Sequence, residues 1–356
     1  MNKRRYKLDK KLLTAILATE SPTYYEAELG NLYMDTLAEV ADYVGKDVLG
    51  NVSASVQGGN YGSRVMISAH QDEVGIVVTG HTEDGYATIA PVGYIDPASL
   101  PGSVLSLTTP TGKKIAGVVL RTPVHALDDE EITKVPETQE CVVDLGVSSL
   151  QEAEALCPIE TYGVWKTEII PAPGGKMFAR AADNKLSVYV LTRVMQELSK
   201  DKTHLPAKVF GVLTAAEEAT GSAAVCAARK VDPAINIVLD VHPVGPFDDQ
   251  DDELALPHPF TRLVIPKGPF IHKALHEFVV LAASRLRLDY CTPYSAETTG
   301  TDLEDLRLVN GGSACCLLSV PVRMLHTPLS LFSPAALEPL VALVVAVVTS
   351  LNALQL

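Results

Sequence analysis

The sequence contains little tryptophan, little cysteine and a shortage of positive charge. Among 356 residues, 29 lysines and arginines oppose 43 aspartates and glutamates, and the formal net charge is -14. Because proteins that bind phosphate backbones need clustered Lys and Arg side chains, this balance argues against a nucleic-acid partner. A cationic or neutral small substrate fits the charge better.

Six cysteines are present, and no two of them form a Cys-x-x-Cys pair. They stand at positions 141, 157, 226, 291, 315 and 316, mostly beside apolar residues. This pattern lacks the spacing of a zinc ribbon and of a disulfide framework. We therefore expect buried thiols in a reducing compartment.

The sequence also lacks an apolar run long enough to cross a bilayer. The run Leu340–Val348 is too short, and Ser333-Pro334 ahead of it are typical of a helix start, so we expect a buried C-terminal helix. Lys3–Arg5 precedes a short apolar patch, Leu12–Ala18, but no small-residue cleavage site follows, which favours an amphipathic helix over a signal peptide. We expect a cytoplasmic protein without a membrane partner.

The hydrophobic pattern predicts an α/β fold. Helices are expected at Asp9–Thr19 and Tyr24–Val44, and strands at Val48–Val56 and Arg64–His70. After Trp165, helical and buried-strand patterns alternate, which predicts a mixed, mostly parallel sheet flanked by helices. These later segments are the helix Lys185–Leu198 and the strands Val209–Leu213, Ile235–Leu239 and Cys315–Val320.

Residues 76–163 have a different character, with short β-type runs separated by turns. The runs are Tyr86–Ala90, Ser103–Thr108 and Lys114–Leu120. The acidic stretch Asp128–Glu131 is typical of a solvated loop. We predict a small β-barrel-like domain at 76–163, inserted into a catalytic domain formed by 1–75 and 164–356.

Side chains suited to metal binding and acid–base chemistry follow the predicted strand ends, where open α/β sheets bind ligands. Asp183 has a different context, at the start of a predicted helix, where it could cap the helix or bridge two metals. The residues at the strand ends are His70, Asp72, Glu217, Glu218, Asp240 and His326.

Two histidines and three carboxylates are about what a two-metal hydrolytic site needs. Mixed nitrogen and oxygen ligands favour Zn, Co or Mn over Mg or Ca. Two such ions about 3.5–4 Å apart polarise a carbonyl and lower the pKa of a shared water.

Asp72 lies on the same side of an extended strand as His70, so it can fix the imidazole tautomer. Glu73 faces the other way and is expected to support the turn that follows.

The adjacent pair Glu217 and Glu218 allows a division of labour. Neighbouring residues at a strand-to-helix turn point in different directions, so one can coordinate metal while the other moves a proton. The same pair could instead favour a helix N-terminus through the helix dipole.

Taken together, these motifs resemble the M42 metallo-aminopeptidases, the glutamyl-aminopeptidase and tetrahedral-aminopeptidase group. The resemblance covers nearly the whole chain in the right order, including parts of the insert. The matching strings are Ala69–Gly75 (AHQDEVG), Arg180–Lys185 (RAADNK), Thr214–Glu218 (TAAEE), Val238–Asp240 (VLD) and Pro321–Pro328 (PVRMLHTP).

The resemblance implies a catalytic domain of the dinuclear-metallopeptidase type that removes N-terminal residues from peptides. It implies that His70, Asp183 and Asp240 hold one metal, and that Asp183, Glu218 and His326 hold the other. Glu217 would be the general base, and Asp72 would orient His70. The family uses its β-rich insert in dimer contacts, so a homo-oligomer built from dimers, up to a dodecamer, is expected.

The chain departs from the family pattern after two proposed ligands. Val241-His242-Pro243 follows Asp240, and Leu329-Ser330-Leu331 follows the motif of His326. These departures remove no ligand and bear on substrate preference.

Three other functions remain open for the same residues: a metal-dependent deacylase acting on a non-peptide amide, a glycoside hydrolase, and a non-catalytic shell protein. Adjacent carboxylates seldom reach the separation of about 5–9 Å that glycoside hydrolysis requires.

Overall fold

A computed structural model of the chain describes residues 6–58, 63–245 and 260–354. Its α-helices are α1 (Lys10–Ala18), α2 (Ala27–Leu37), α3 (Asp129–Ile132), α4 (Leu150–Leu156), α5 (Ala182–Ser199), α6 (Ala223–Val231), α7 (Lys273–Leu286), α8 (Leu303–Leu306) and α9 (Leu337–Thr349). Its β-strands are β1 (Tyr43–Lys46), β2 (Val52–Val56), β3 (Arg64–His70), β4 (Gly75–His81), β5 (Ala87–Val92), β6 (Val104–Thr108), β7 (Lys114–Leu120), β8 (Val142–Asp144), β9 (Tyr162–Trp165), β10 (Ile170–Ala172), β11 (Lys176–Ala179), β12 (Lys208–Thr214), β13 (Ile235–Pro243), β14 (Leu263–Val264), β15 (Tyr290–Cys291), β16 (Ala314–Arg323) and β17 (Ser330–Phe332).

The large sheet is parallel at its centre and antiparallel at its edges. Its strands follow the order β1-β2-β12-β3-β13-β16-β17-β11-β10, with β14 joined to β16 and β15 joined to β14. The neighbours β12, β3, β13 and β16 pair in parallel, and nearly all their side chains are buried, as expected for strands covered on both faces. The predicted α/β class with a mixed sheet is confirmed, and parallel pairing occurs among these central strands and between the short strands β14 and β15.

Helix α5 is buried along nearly its whole length because it packs against β3 and β13 and also against α1 and α9. Apolar side chains such as Leu186, Val190 and Val194 provide this packing. Asn184 donates a hydrogen bond to the carbonyl oxygen of Leu239 at 3.0 Å. This bond fixes the first turn of α5 beside the end of β13, where the predicted ligands lie.

The remaining strands form a closed antiparallel barrel in the order β4-β5-β8-β7-β6-β9. Its interior contains the buried side chains of Ile76, Ile89, Leu107 and Val143. The barrel begins soon after His70 along the chain and leads back to the large sheet through β10. The turn-rich sequence predicted this small barrel. The domain limits 1–75, 76–163 and 164–356 stay a prediction.

Two predicted elements near the start of the chain were wrong. The helix predicted to reach Val44 ends at Leu37, because Tyr43–Lys46 pairs with β2 as a strand. The strand predicted to begin at Val48 begins four residues later. The Asp47 carboxylate accepts backbone hydrogen bonds from residues 49 and 51 at 2.9 and 3.0 Å, which closes a turn before β2.

Three smaller expectations also differ from the structure. The acidic stretch at 128–131 is exposed but helical, because the Asp128 carboxylate caps α3. Cys226 is exposed on α6, although the other cysteines are buried or half-buried. Ser333 forms no capping hydrogen bond, since a tight turn at Pro334–Ala336 precedes α9. No helix within the described ranges is long and apolar enough to cross a membrane.

Candidate metal centre

The predicted ligands meet at the carboxyl edge of the central parallel strands. His70 is the last residue of β3 and lies opposite Thr214, the last residue of β12. Asp240 lies near the end of β13, and His326 follows β16 by three residues. Because parallel strands point in one direction, their ends place these side chains at the same edge of the sheet.

Asp183 lies between the two histidines. Its Oδ1 is 3.0 Å from Nε2 of His70, and its Oδ2 is 3.5 Å from Nε2 of His326. Burial opposes a charge on Asp183, but the two histidine contacts outweigh it and hold the pKa of this carboxyl below its ordinary value. Nε2 of His70 also lies 3.8 Å from Oδ1 of Asp240, and Nε2 of His326 lies 3.2 Å from Oε2 of Glu218. All five predicted metal ligands therefore lie side by side.

Asp72 connects the end of β3 to the turn that carries both glutamates. One of its carboxylate oxygens accepts the backbone N–H of Glu217 and the other accepts that of Glu218, each at 3.1 Å. The Thr23 hydroxyl donates to the same carboxylate at 2.7 Å. Nδ1 of His70 lies 3.2 Å from the carbonyl oxygen of Asp72 and 3.4 Å from its Oδ1. A proton on Nδ1 is thus satisfied by Asp72, which leaves the Nε2 lone pair directed at the other ligands.

The side chains of Glu217 and Glu218 point in different directions, as expected for adjacent residues at a turn. Oε2 of Glu217 lies 3.9 Å from Nε2 of His70, whereas Oε2 of Glu218 contacts His326. Ala216 immediately before them has a φ of +56°, and His326 has a φ of +57°. Non-glycine residues seldom adopt this conformation, and it recurs at sites where a side chain must point in a required direction.

The centre carries more negative charge than its histidines balance. Burial raises the pKa of Glu217 to about 9, and the charge of Asp240 adds to the rise. Burial also raises the pKa values of Glu218 and Asp240. Burial opposes a charge on His326, but hydrogen bonds to Asp183 and Glu218 outweigh it and raise its pKa to about 10. Crowded carboxyls of this kind are stabilised by added cations.

The donor set fits a divalent cation. One ligand atom each from His70, Asp183 and Glu218 lie within 4.8 Å of one another. Oε1 of Glu218 is buried and has no hydrogen-bond partner among the described residues. A buried carboxylate oxygen without a donor is costly, and a metal ion bound here would supply the missing partner. Imidazole with carboxylates suits Zn, Co or Mn.

Glu73 does not enter this cluster and instead forms a buried ionic group behind it. Its Oε1 accepts from Nζ of Lys185 at 2.6 Å and from the backbone N–H of Ser21 at 2.8 Å. Its Oε2 pairs with Arg180 at 2.5 Å, and Lys185 also donates to the carbonyl oxygen of Thr19. The group therefore joins the end of β3 to the first turn of α5, which carries Asp183.

Sequence reasoning missed Asp302, which lies just before α8. It is buried, it accepts the Thr214 hydroxyl at 2.6 Å through Oδ2, and its Oδ1 has no partner within the described residues. Burial raises its pKa to about 7. Asp302 does not directly follow a strand, so the pattern that identified the proposed ligands gave no signal for it.

The sequence is similar to known proteins along most of its length. The model of the M42 glutamyl aminopeptidase family matches residues 50–343. The lysyl aminopeptidase of Pyrococcus furiosus is 27% identical over 329 residues, which cover 91% of this chain and 92% of that protein.

Two solved structures share the fold. The TET aminopeptidase from a marine sediment archaeon of the Thaumarchaeota superposes with a TM-score of 0.90 at 24% identity, covering 96% of each chain. The Pyrococcus horikoshii TET1 peptidase, which is described as able to assemble into a tetrahedron or a large octahedral shell, superposes with a TM-score of 0.82 at 24% identity, covering 95% of this chain and 98% of that one.

Proposed function

Since the chain belongs to the M42 glutamyl aminopeptidase family and is a metal-dependent hydrolase acting on peptides, we propose that it is a dinuclear aminopeptidase. We also propose that Glu217 transfers the proton from the attacking water to the leaving amine. The observation that carries the proposal is the meeting of His70, Asp183 and Glu218 within 4.8 Å, with Asp240 and His326 beside them.

The five ligands divide into two sets that share Asp183. His70, Asp183 and Asp240 would hold one divalent cation, and Asp183, Glu218 and His326 would hold the other. The contacts of Asp183 support this division, since one of its oxygens faces each histidine. When bound, two such ions polarise the substrate carbonyl and lower the pKa of a water molecule.

Glu217 then acts as general base and general acid. Its carboxylate takes the proton of the attacking water and passes it to the leaving nitrogen, so that the peptide bond breaks as the amine is released. Asp72 holds the backbone N–H groups of Glu217 and Glu218, which keeps the two carboxylates in their separate directions. Asp72 is thus a positioning residue for both the base and His70.

The carboxylates of the centre also favour a positively charged group at the end of the substrate. Burial raises the pKa values of Glu217, Asp240 and Asp302, and the negative charge of Asp302 adds to the rise at Glu217 and at Asp240. A free α-amino group carries a positive charge near neutral pH and compensates such a cluster. We therefore propose peptides with a free N-terminus as substrates.

Metal analysis together with a substrate panel tests this function. We expect about two divalent ions per chain, and loss of aminoacyl chromogenic-substrate hydrolysis after chelation, with recovery on adding Zn, Co or Mn. The matched controls are the same substrates with acylated amines, which we expect to be poor substrates. Hydrolysis that survives complete metal removal, or a preference for the acylated series, would contradict the proposal.

We also propose a homo-oligomer built from dimers, up to a dodecamer. The P. horikoshii relative is described as able to assemble into a tetrahedron or a large octahedral shell, and this supports the proposal. The barrel exposes Val124, Ile132 and Val135 by 60%, 43% and 57%, which is apolar surface that a partner can cover. Light scattering during gel filtration is expected to give an even multiple of the chain mass, and a monomeric mass would be inconsistent with this assembly.

A further inference from the structure

A cavity of about 480 Å³ lies at the end of β13, the strand that carries the proposed ligand Asp240. Its wall is formed by the end of β13 and by the segment that leads towards α8. This volume lies within the range of pockets that bury small molecules or single side chains. The described lining residues are Val241, His242, Pro243, Pro266, Leu317 and residues 293–300.

The two chain segments that form the walls of the cavity each lead, within two residues, to a buried carboxylate at or next to the metal centre. His242 lines the cavity and lies two residues after the proposed ligand Asp240 in β13, so the two side chains are on the same face of the strand. On the other wall, Gly300 precedes Asp302 by two residues, and Asp302 holds the hydroxyl of Thr214 at the end of β12. A substrate bound at the centre therefore has this cavity as its neighbour.

The lining combines apolar walls with one carboxylate. Val241, Pro266, Pro293 and Leu317 provide apolar surface, and Glu297 is the acidic residue in the described lining, which contains no Lys or Arg. The Glu297 side chain is exposed, and no described Lys, Arg or His pairs with it within 4.0 Å. Its charge is therefore not neutralised by a neighbouring cation of the described chain.

We propose that this cavity receives the side chain of the substrate's N-terminal residue, and that Glu297 makes lysine and arginine preferred over aspartate and glutamate. Long basic side chains can lay their methylene stems along apolar walls while the charged end reaches a carboxylate in water. An acidic side chain meets like charge instead. The inference rests on the proposed aminopeptidase function, because it assigns a substrate class to the same site.

Charge variants at Glu297 test the preference. The measured quantity is kcat/KM for lysyl relative to leucyl p-nitroanilide in the same metal-loaded enzyme, so that changes in overall activity cancel. We expect Glu297→Gln to lower this ratio about 3-fold and Glu297→Lys to lower it about 10-fold, the size of single exposed charge interactions. Glu297→Lys is also expected to raise the ratio of glutamyl to leucyl substrate.

The control variant is Glu277→Gln, which removes an exposed carboxylate on α7, outside the cavity lining. We expect it to leave both ratios unchanged. Unchanged ratios in Glu297→Lys would overturn the assignment of Glu297. Equal falls in Glu277→Gln and Glu297→Gln would also overturn it, because the effect would then come from net charge alone.

A second variant tests whether the cavity is the pocket at all. Ala296→Trp places a large ring in the lining, so we expect leucyl and lysyl substrates to lose about 10-fold or more relative to alanyl substrate. Equal effects on all three substrates would place the side-chain pocket elsewhere. If the metal-loaded natural enzyme hydrolyses none of the three, the aminopeptidase function itself fails, and the two failures are thereby distinguished.

Discussion

Replacing Glu217 with glutamine is expected to lower kcat by about 10²–10⁴-fold while metal content stays normal. Glutamine keeps the volume of the side chain and the backbone N–H that binds Asp72 at 3.1 Å, so the turn is preserved. It removes the carboxylate that takes and returns the proton. Oε2 of Glu217 lies 3.9 Å from Nε2 of His70, so the carboxylate is next to the proposed ligands.

The matched control is the neighbouring Glu218→Gln. Glu218 is held by the same Asp72 carboxylate, but its Oε2 contacts His326 and its Oε1 is buried without a partner. We expect this variant to lose part of its metal as well as its activity. The two variants are compared by metal analysis and by kcat on leucyl p-nitroanilide. Turnover of Glu217→Gln within about 3-fold of the natural enzyme would remove Glu217 from the proton path.

Most of the centre could be predicted because the sequence indicates where the buried strands end and that these strands run in the same direction. Buried apolar runs followed by His70, Asp240 and the pair Glu217–Glu218 gave positions at one edge of a parallel sheet. The structure places these side chains together through backbone geometry that a pattern of residue types specifies well. Asp183 was identified from its position at the start of a predicted helix, where capping and the bridging of two metals were both possible roles.

Features that depend on contacts between distant segments could not be predicted in the same way. Asp302 is buried against Thr214 although it lies 88 residues further along the chain and does not directly follow a strand. The first two residues of the strand Tyr43–Lys46 were assigned to a helix, because the pairing of this strand with β2 overrides a helical pattern. Glu73 was expected only to support a turn, since its partners Arg180 and Lys185 are more than 100 residues away.

Glu73→Gln is expected to destabilise the chain by about 3–5 kcal/mol, because it leaves two buried cations without their counter-charge. The side chain of Lys185 is 0% exposed and that of Arg180 is 7% exposed, so water cannot replace the lost carboxylate. Glutamine matches the volume of glutamate, which excludes a cavity as the cause. Urea unfolding followed by fluorescence of Trp165, the single tryptophan, measures the change.

Two further variants distinguish the loss of the buried counter-charge from a general loss of stability. Glu277→Gln breaks an exposed pair with Lys273 at 4.0 Å, and we expect a change of no more than about 0.5 kcal/mol. Adding Lys185→Met to Glu73→Gln removes one of the unpaired cations, so the double variant should be more stable than Glu73→Gln alone. A double variant that is equally or less stable would mean that Lys185 acts through packing. Because Lys185 lies two residues after Asp183, the electrostatic account also requires metal affinity to fall in Glu73→Gln and to recover partly with the second substitution.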